Sequence, residues 1–191
     1  YLMDAGNNIG ILENDYGAVN VDMMLLQDLM GENCELEMIS GGCDKDCHRR
    51  RFKTKLIAMG MCGYDRVIVE PSGIFDVDEF FDILHEDPLN RWYQIGNVIA
   101  IVDSKLESDL SDEADFILAS EVADAGCIVM SKSQDASSEE IRGTVEHVNQ
   151  ALEKVHCSRR FRCEMNGGDT INIMHKNWEE MSKEDFDLIA S

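Results

Sequence analysis

Residues 39–51 read Ile-Ser-Gly-Gly-Cys-Asp-Lys-Asp-Cys-His-Arg-Arg-Arg, and the rest of the chain can be interpreted outward from them. The apolar run at 36–39 predicts a buried strand that ends at the two glycines. Gly41 and Gly42 would let the chain turn there, because glycine adopts backbone conformations that other residues avoid. A helix is expected to follow and to end near Cys62. The stretch therefore predicts a strand, a glycine turn and a helix in direct succession.

The two cysteines of this stretch, Cys43 and Cys47, are four residues apart. On a helix this spacing would bring their Cβ atoms to about 5–6 Å from each other. Two thiolates at that separation could share one metal ion, with His48 as a third ligand. The same spacing also permits a regulatory disulfide, and a pair of ordinary structural thiols is a third interpretation. The spacing alone leaves all three open.

Composition limits the classes of partner. The chain has 191 residues, 44% hydrophobic and 29% charged, which is typical of one globular domain with a buried core. The formal net charge of −21 argues against nucleic acid and anionic membranes as partners, because phosphate groups would be repelled. No apolar run approaches the length of a membrane span. The seven scattered cysteines form no small disulfide framework, and we expect a reducing, cytoplasmic location.

Short apolar runs alternate with helical patterns along the chain. Strands are predicted at 9–12, 36–39, 66–69, 98–102 and 127–130, and 161–164 is the candidate for a last strand. Ser137 and Glu140 predict a capping box at the start of the longest helix, on which His147 is expected to be solvated. Continuous apolar strands that alternate with helices predict an α/β fold, with a mostly parallel sheet and helices on both faces.

Ligands of such sheets bind at the carboxyl ends of the strands. Four segments with unusual polar residues follow predicted strands, namely 13–17, 41–47, 70–73 and 131–135. We therefore expect these four segments to lie at the same edge of the sheet and to form the functional site.

The order of these motifs resembles that of the CobW-like GTPases, a metallochaperone group related to HypB and UreG. Residues 13–22 (Glu-Asn-Asp-Tyr-Gly-Ala-Val-Asn-Val-Asp) are similar to the family's Asn-Glu-Phe-Gly segment, and 42–47 falls at its Gly-Cys-x-Cys-Cys metal motif. Glu-Pro-Ser-Gly at 70–73 matches its Glu-x-x-Gly switch. Ser-Lys-Ser-Gln at 131–134 falls at its Asn-Lys-x-Asp base-recognition motif.

The resemblance implies a three-layer, P-loop NTPase-like sandwich. The GTPase-like nucleotide-binding domain would cover 1–160, and 161–191 would be its end and the start of a linker or C-terminal extension. No Gly-x-x-x-x-Gly-Lys-Ser/Thr occurs in the sequence. Because residues 1–6 resemble the last turn of the helix that follows this loop in the family, we expect the P-loop and its strand to lie upstream of Tyr1.

The resemblance also implies GTP and GDP as ligands, Mg²⁺ as cofactor and slow GTP hydrolysis. Glu70 would help to hold Mg²⁺ or its coordinated water, and Gly73 would donate its backbone N–H to the γ-phosphate. Asp15 belongs to the segment 13–22, which would be a switch that senses the γ-phosphate. The residues at the base would be Ser131, Lys132, Gln134 and Asp135, with the lysine stem along the ring.

By the same resemblance, Cys43, Cys47 and His48 would bind Zn²⁺ or Co²⁺. The metal would pass to a client metalloenzyme or a maturation protein, and the chain could form a homodimer. The cysteines have C-x-x-x-C spacing without an adjacent pair, and Ala18 stands where the family commonly has a glutamate.

The base motif departs from the family pattern as well. Gln134 replaces the aspartate that accepts two N–H groups of guanine, and a neutral amide accepts less strongly than a carboxylate. Asp135, one residue further on, could take that place. A second hypothesis for function is a non-hydrolysing metal- or redox-sensing binding module with a degenerate nucleotide site.

Overall fold

The computed structural model describes residues 1–15, 21–40, 45–71, 77–163 and 172–190. The chain divides into two compact units, Tyr1–Gln94 and Ile95–Ser191. Each unit contains a parallel sheet of three strands. Among the described residues, no helix combines the length and the apolar character that crossing a membrane would require.

The sheet of the first unit has the strand order β2-β1-β3. Its strands are β1 (Ile9–Asp15), β2 (Cys34–Ser40) and β3 (Arg66–Glu70). Its helices are α1 (Val21–Leu26), α2 (Lys45–Cys62), α3 (Val77–His85) and α4 (Leu89–Trp92), with a 3₁₀ turn at Gln27–Leu29. Because all pairings are parallel, the three carboxyl ends lie at one edge of this sheet.

One face of this sheet packs against α2. The buried residues of this core are Leu12, Ile39, Phe52, Leu56, Met59, Ile83, Leu84 and Leu89. Gly10 allows the close approach of the helix, because a Cβ atom there would lie 2.6 Å from Cε of Met59 and 2.8 Å from Cδ2 of Tyr64. The opposite face of β1 therefore carries the alternate residues Ile9, Ile11 and Glu13.

The second unit has the strand order β4-β5-β6. Its strands are β4 (Ile99–Asp103), β5 (Cys127–Ser131) and β6 (Ile173–Met174). Its helices are α5 (Asp112–Ala123), α6 (Ser138–Lys154) and α7 (Lys183–Ala190), with 3₁₀ turns at Ser133–Asp135 and Trp178–Glu180. Helices α5 and α6 cover one face, while Leu188 and Ile189 of α7 pack against Cys127 and Val129 on the other. This arrangement explains why β5 is a continuous apolar run.

The predicted alternation of strands and helices is confirmed, with one difference at β1. This strand continues to Asp15, whereas the sequence predicted a loop from Glu13 onward. The extension is stabilised by pairing on both sides, since Glu13 is the register partner of Met38 on β2 and of Glu70 on β3. Glu13 is therefore fixed within the sheet.

The prediction of a strand at 161–164 is wrong for 161–163, and Glu164 lies outside the described residues. The backbone N–H of Phe161 donates to Oδ1 of Asn149 at 2.9 Å, and Nδ2 of Asn149 donates to the carbonyl of Phe161 at 3.1 Å. The side-chain amide of Asn149 thus hydrogen-bonds to the backbone N–H and carbonyl of Phe161, which a strand would use for pairing. The last strand of the described chain is β6, at Ile173–Met174.

Two predicted helix termini are confirmed. The N–H of Gly6 donates to Met3 at 2.8 Å, and the N–H of Asn7 donates to Leu2 at 3.1 Å. With a φ of 89° at Gly6, these bonds form the Schellman pattern of a helix C-terminus. At the start of α6, Ser137 and Glu140 form the predicted capping box.

Candidate functional site

A pair of glutamates lies at the carboxyl edge of the first sheet. Glu13 and Glu70 are register partners on adjacent strands, so their side chains project from the same face. Neighbouring strands in a sheet are about 4.8 Å apart. Glu13 is only 2% exposed, whereas Glu70 is exposed. Two carboxylates this close fit a hard divalent cation, because a cation offsets their mutual repulsion.

The other residues predicted at this edge are described only in part. Asp15 is the last residue of β1, and its register partner is Ser40, the last residue of β2. The segments that follow these strands, 16–20 and 41–44, lie outside the described residues. Gly73, the predicted donor to the γ-phosphate, also lies outside them. The structure thus fixes the strand ends from which the three predicted loops depart.

In the second unit, β4 and β5 also end side by side, since Asp103 is the register partner of Ser131. Lys132 follows β5 and has a left-handed backbone with a φ of 55°. Its Nζ donates to Oδ2 of Asp103 at 2.5 Å. The Lys132 ammonium and the backbone N–H of Lys105 both lower the pKa of Asp103, and Asp103 raises the pKa of Lys132. An ion pair therefore holds Lys132 against the end of β4.

The remaining predicted base-binding residues surround Lys132. The Oγ of Ser131 lies 3.5 Å from the carbonyl of Val102, and Gln134 and Asp135 belong to the 3₁₀ turn that follows. Nε2 of Gln134 lies 3.5 Å from Oδ2 of Asp135, and both side chains are exposed. The turn presents an amide and a carboxylate to solvent.

Helix α6 supports the loop that follows β4. The hydroxyl of Thr144 donates to the carbonyl of Ser104 at 2.9 Å and accepts from the N–H of Leu106 at 3.2 Å. The N–H of Ser104 donates to the carbonyl of Ser131 at 3.1 Å. Ser104 and Thr144 are both buried. The loops after β4 and β5 are consequently linked to each other and to the core.

Two of the three predicted metal ligands lie at the start of α2. Cys47 and His48 are half-buried neighbours in the first turns of this helix, and Cys43 lies outside the described residues. Within the described ranges, no group of three or more His, Cys, Asp and Glu side chains could hold a metal ion. The six cysteines in those ranges are thiols and form no disulfide.

Two features of these sites were not predicted from the sequence. Glu13 was assigned to the loop after β1, because it is a charged residue directly after the apolar run at 9–12. Asp103 was not among the predicted site residues. An aspartate directly after a buried parallel strand is a signal for a side chain at the carboxyl edge.

His147 differs from its prediction. Its side chain is only 13% exposed, and Nε2 lies 2.7 Å from Oδ1 of Asp115 on α5. Asp115 also accepts from Nζ of Lys154, and the pKa of its carboxyl is lowered by Lys154 and by His147. The expected solvated position is wrong because α6 packs against α5 through this cluster.

Parallel strands joined by helices, with charged side chains at the carboxyl ends of the strands, define the class of α/β domains that bind a ligand at that edge of the sheet. Within that class, the chain belongs to the CobW/HypB/UreG family, because residues 2–161 match the family's nucleotide-binding domain.

Two relatives are named as zinc chaperones, both from Escherichia coli strain K12. The zinc chaperone YeiR is 26% identical over 71% of this chain and 41% of its own length. The zinc chaperone YjiA is 25% identical over 79% of this chain and 46% of its own length. The chain thus spans less than half the length of these relatives. A crystal structure of the Zn(II)-bound YjiA GTPase from E. coli aligns with a TM-score of 0.45 and 16% identity, over 85% of this chain and 58% of that chain.

Proposed function

We propose that this chain is the nucleotide-binding domain of a GTP-hydrolysing metallochaperone, in which the nucleotide state controls the transfer of a transition metal to a client protein. The observation that carries this proposal is the match of residues 2–161 to the CobW/HypB/UreG nucleotide-binding domain. The names of the two E. coli relatives favour zinc as the metal. Cobalt remains the second candidate for thiolate and imidazole ligands.

The glutamate pair fits the Mg²⁺ ion that such a reaction needs. Glu13 and Glu70 are oxygen donors on one face, at the edge where ligands of parallel sheets bind. A bound Mg²⁺ would neutralise charge that develops on the phosphate oxygens. Glu70 is exposed and can reach the ion or its water, whereas Glu13 is buried beside it and would offer a second carboxyl oxygen.

The turn after β5 would hold the base. Lys132 would lay its alkyl stem along the ring, and its ion pair with Asp103 would fix the direction of that stem. Gln134 and Asp135 would recognise the edge of the base, since both are exposed in the same 3₁₀ turn. Gly73 would donate to the γ-phosphate, in the role that the family motif gives it.

The cargo metal would bind at the cysteine pair. Cys43, Cys47 and His48 supply the sulfur and nitrogen donors that Zn²⁺ prefers. The metal would be the transported substrate of the protein.

The register of the first sheet supports coupling between the two sites. Segment 13–22 begins within β1, and 41–47 follows β2; the two strands end as direct register partners at Asp15 and Ser40. A change in the conformation of residues 13–22, caused by the γ-phosphate, would therefore have to pass only from β1 to the neighbouring β2 to reach the cysteine segment 41–47.

The test is made with the full-length protein. Titration calorimetry should show tighter binding of GTP than of ATP, dependent on Mg²⁺, and phosphate release should follow binding. Zinc titration should give a stoichiometry that Cys43→Ser and Cys47→Ser each reduce. Cys62→Ser is the matched control, because Cys62 is an exposed thiol at the other end of the same helix.

Equal zinc affinity in the GTP and GDP states would overturn the coupling. Zinc binding without any nucleotide binding would instead favour a metal-sensing module. An unchanged zinc stoichiometry in both cysteine variants would remove the proposed cargo site.

A further inference from the structure

An ion cluster joins helices α2 and α3 of the first unit. Nη2 of Arg49 donates to Oε1 of Glu86, and Nζ of Lys53 donates to Oε2 of the same carboxylate. Glu86 directly follows the last residue of α3. Nη1 of Arg49 also lies 3.8 Å from Oε1 of Glu79, which belongs to the first turn of α3. Arg49 therefore contacts carboxylates at both ends of that helix.

The four side chains of this cluster are half-buried. Hydrogen bonds from Lys53 and Arg49 lower the pKa of the Glu86 carboxyl, and Glu86 in turn raises the pKa of Arg49. Charge pairs that are partly removed from water are screened less than exposed pairs. The guanidinium group is also planar, so its contacts with two carboxylates fix its direction. The cluster thus constrains how α2 lies against α3.

An aromatic contact joins the same two helices. Phe52 of α2 is buried, and its ring meets the ring of Phe80 of α3 edge to face, with 5.5 Å between the centroids. Ile83 and Leu84 of α3 belong to the same buried core. Phe52 follows Arg49 by three residues, a spacing that places both side chains on one face of α2. Because apolar packing and ion pairs act on the same face, a shift of α3 is expected to move α2.

The ion cluster lies between two segments with proposed roles. Cys47 and His48, which are proposed ligands of the cargo metal, directly precede Arg49 in α2. Helix α3 begins at Val77, four residues after Gly73, the proposed donor to the γ-phosphate. A displacement that starts at the γ-phosphate would therefore pass to α3 along the chain, and from α3 to the start of α2 through the cluster.

We infer that the ion cluster of Arg49, Lys53, Glu79 and Glu86 transmits the state of the bound nucleotide from segment 70–73 to the metal ligands on α2. Arg49 is then a positioning residue, which holds the first turns of α2 at the place that α3 sets. The inference rests on the proposed function, since it requires a nucleotide switch and a cargo metal. It adds a second route to the one from β1 to β2, and this second route depends on charge.

Loss of the cluster should separate coupling from binding. None of its four residues is a proposed ligand of the nucleotide or of the metal, so both ligand sets stay complete. The quantity that depends on the cluster is the ratio of the zinc affinities in the GTP and GDP states. By thermodynamic linkage, zinc must change the ratio of GTP to GDP affinity by the same factor.

The test uses the full-length protein with either GDP or a non-hydrolysable GTP analogue bound, and competition with a chromogenic chelator gives the Kd for zinc. In the wild type, the two nucleotide states should differ at least about fivefold in this Kd. Glu86→Gln keeps the size of the side chain but removes the charge that Arg49 and Lys53 share. The ratio should then fall to about one, while the zinc stoichiometry and the GTP affinity stay at their wild-type values.

Two substitutions of Arg49 distinguish positioning from a merely structural role. Arg49→Gln should abolish the ratio as Glu86→Gln does. Arg49→Lys should give an intermediate ratio, because lysine keeps the charge but lacks the planar fork. The matched control is Asp87→Asn, since Asp87 is the exposed neighbour of Glu86 and pairs with Arg91 of α4 at 2.9 Å. This control should keep the wild-type ratio.

Thermal unfolding without ligands identifies any variant that is not folded. In that case Lys53→Gln replaces it, because it removes one of the two cations on Glu86 and should also lower the ratio.

The outcomes separate this inference from the proposed function. If Glu86→Gln and Arg49→Gln bind zinc and GTP normally and keep the wild-type ratio, the inference fails and the proposed function stands. An equal loss in Asp87→Asn would show a general effect of charge and would also overturn the inference. If the wild type itself binds zinc equally in both nucleotide states, the proposed coupling fails, and the inference fails with it.

Discussion

Lys132 and Asp103 form an ion pair across two neighbouring strand ends, with 2.5 Å between Nζ and Oδ2. The backbone of Lys132 is left-handed, which is uncommon for a residue with a side chain. Its side chain is 67% exposed, so screening by water makes the pair a weak contributor to stability. The ion pair would instead orient the side chain of Lys132, because it fixes the ammonium end of a flexible alkyl stem.

Asp103→Asn tests this orienting role. The variant keeps the shape of the side chain but removes the charge that holds Lys132, and we expect the Kd for GTP to rise about threefold to tenfold with little change in stability. Titration calorimetry measures the affinity, and thermal unfolding measures the stability. Asp109→Asn is the matched control, because Asp109 is an exposed aspartate of the same unit. Equal affinity in both variants would contradict the orienting role.

Gln134→Asp tests the origin of base preference. A carboxylate accepts N–H groups more strongly than an amide does, so we expect the ratio of GTP to ATP affinity to rise about tenfold. Gln150→Asp, at an exposed position on α6, is the control for added charge. Should Gln134→Asp have no effect while Asp135→Asn removes the preference for GTP, the carboxylate at the base is that of Asp135.

Glu70→Gln tests the proposed Mg²⁺ site. Loss of one carboxylate should weaken Mg²⁺ binding and slow GTP hydrolysis by at least about tenfold, while GDP binding without Mg²⁺ changes little. Phosphate release as a function of Mg²⁺ concentration measures both effects. The control is Glu32→Gln, an exposed glutamate of the same unit. A normal Mg²⁺ dependence in Glu70→Gln would remove this residue from the site.

Asp115→Asn tests the cluster between α5 and α6. The substitution leaves Lys154 and the half-buried ring of His147 without their shared carboxylate, and we expect the free energy of unfolding to fall by about 2 kcal/mol. Urea denaturation provides the measurement. Asp112→Asn is the control, because Asp112 is 97% exposed and 3.7 Å from the same lysine. A similar loss in the control would show that the effect is not specific to the buried carboxylate.

The same cluster predicts a pH dependence. Lys154 and His147 lower the pKa of Asp115 in the folded state below its ordinary value of 3.8. The stabilisation from this cluster is therefore fully present above pH 3.8. It is lost as the pH falls from 3.8 through the lower pKa that Asp115 has in the folded state. The difference in unfolding free energy between wild type and Asp115→Asn should shrink below about pH 4. A difference that stays constant down to pH 2 would contradict this assignment.

The sequence by itself determined the order of elements. Strands β1 to β5 were predicted from apolar runs, and the cap of α6 was predicted from Ser137 and Glu140, because burial and capping depend on residues close together in the chain. The motif order also identified the family, whose nucleotide-binding domain matches residues 2–161.

Only the tertiary structure decided which side chains meet. The pairing of Glu13 with Glu70, the ion pair of Asp103 with Lys132 and the contact of His147 with Asp115 each join residues from separate elements. The sheet register and the packing of the helices set these distances, and no local pattern encodes either of them. For the same reason, three consecutive arginines are visible at 49–51 in the sequence, but the structure was needed to show that Arg49 and Lys53 both bind Glu86.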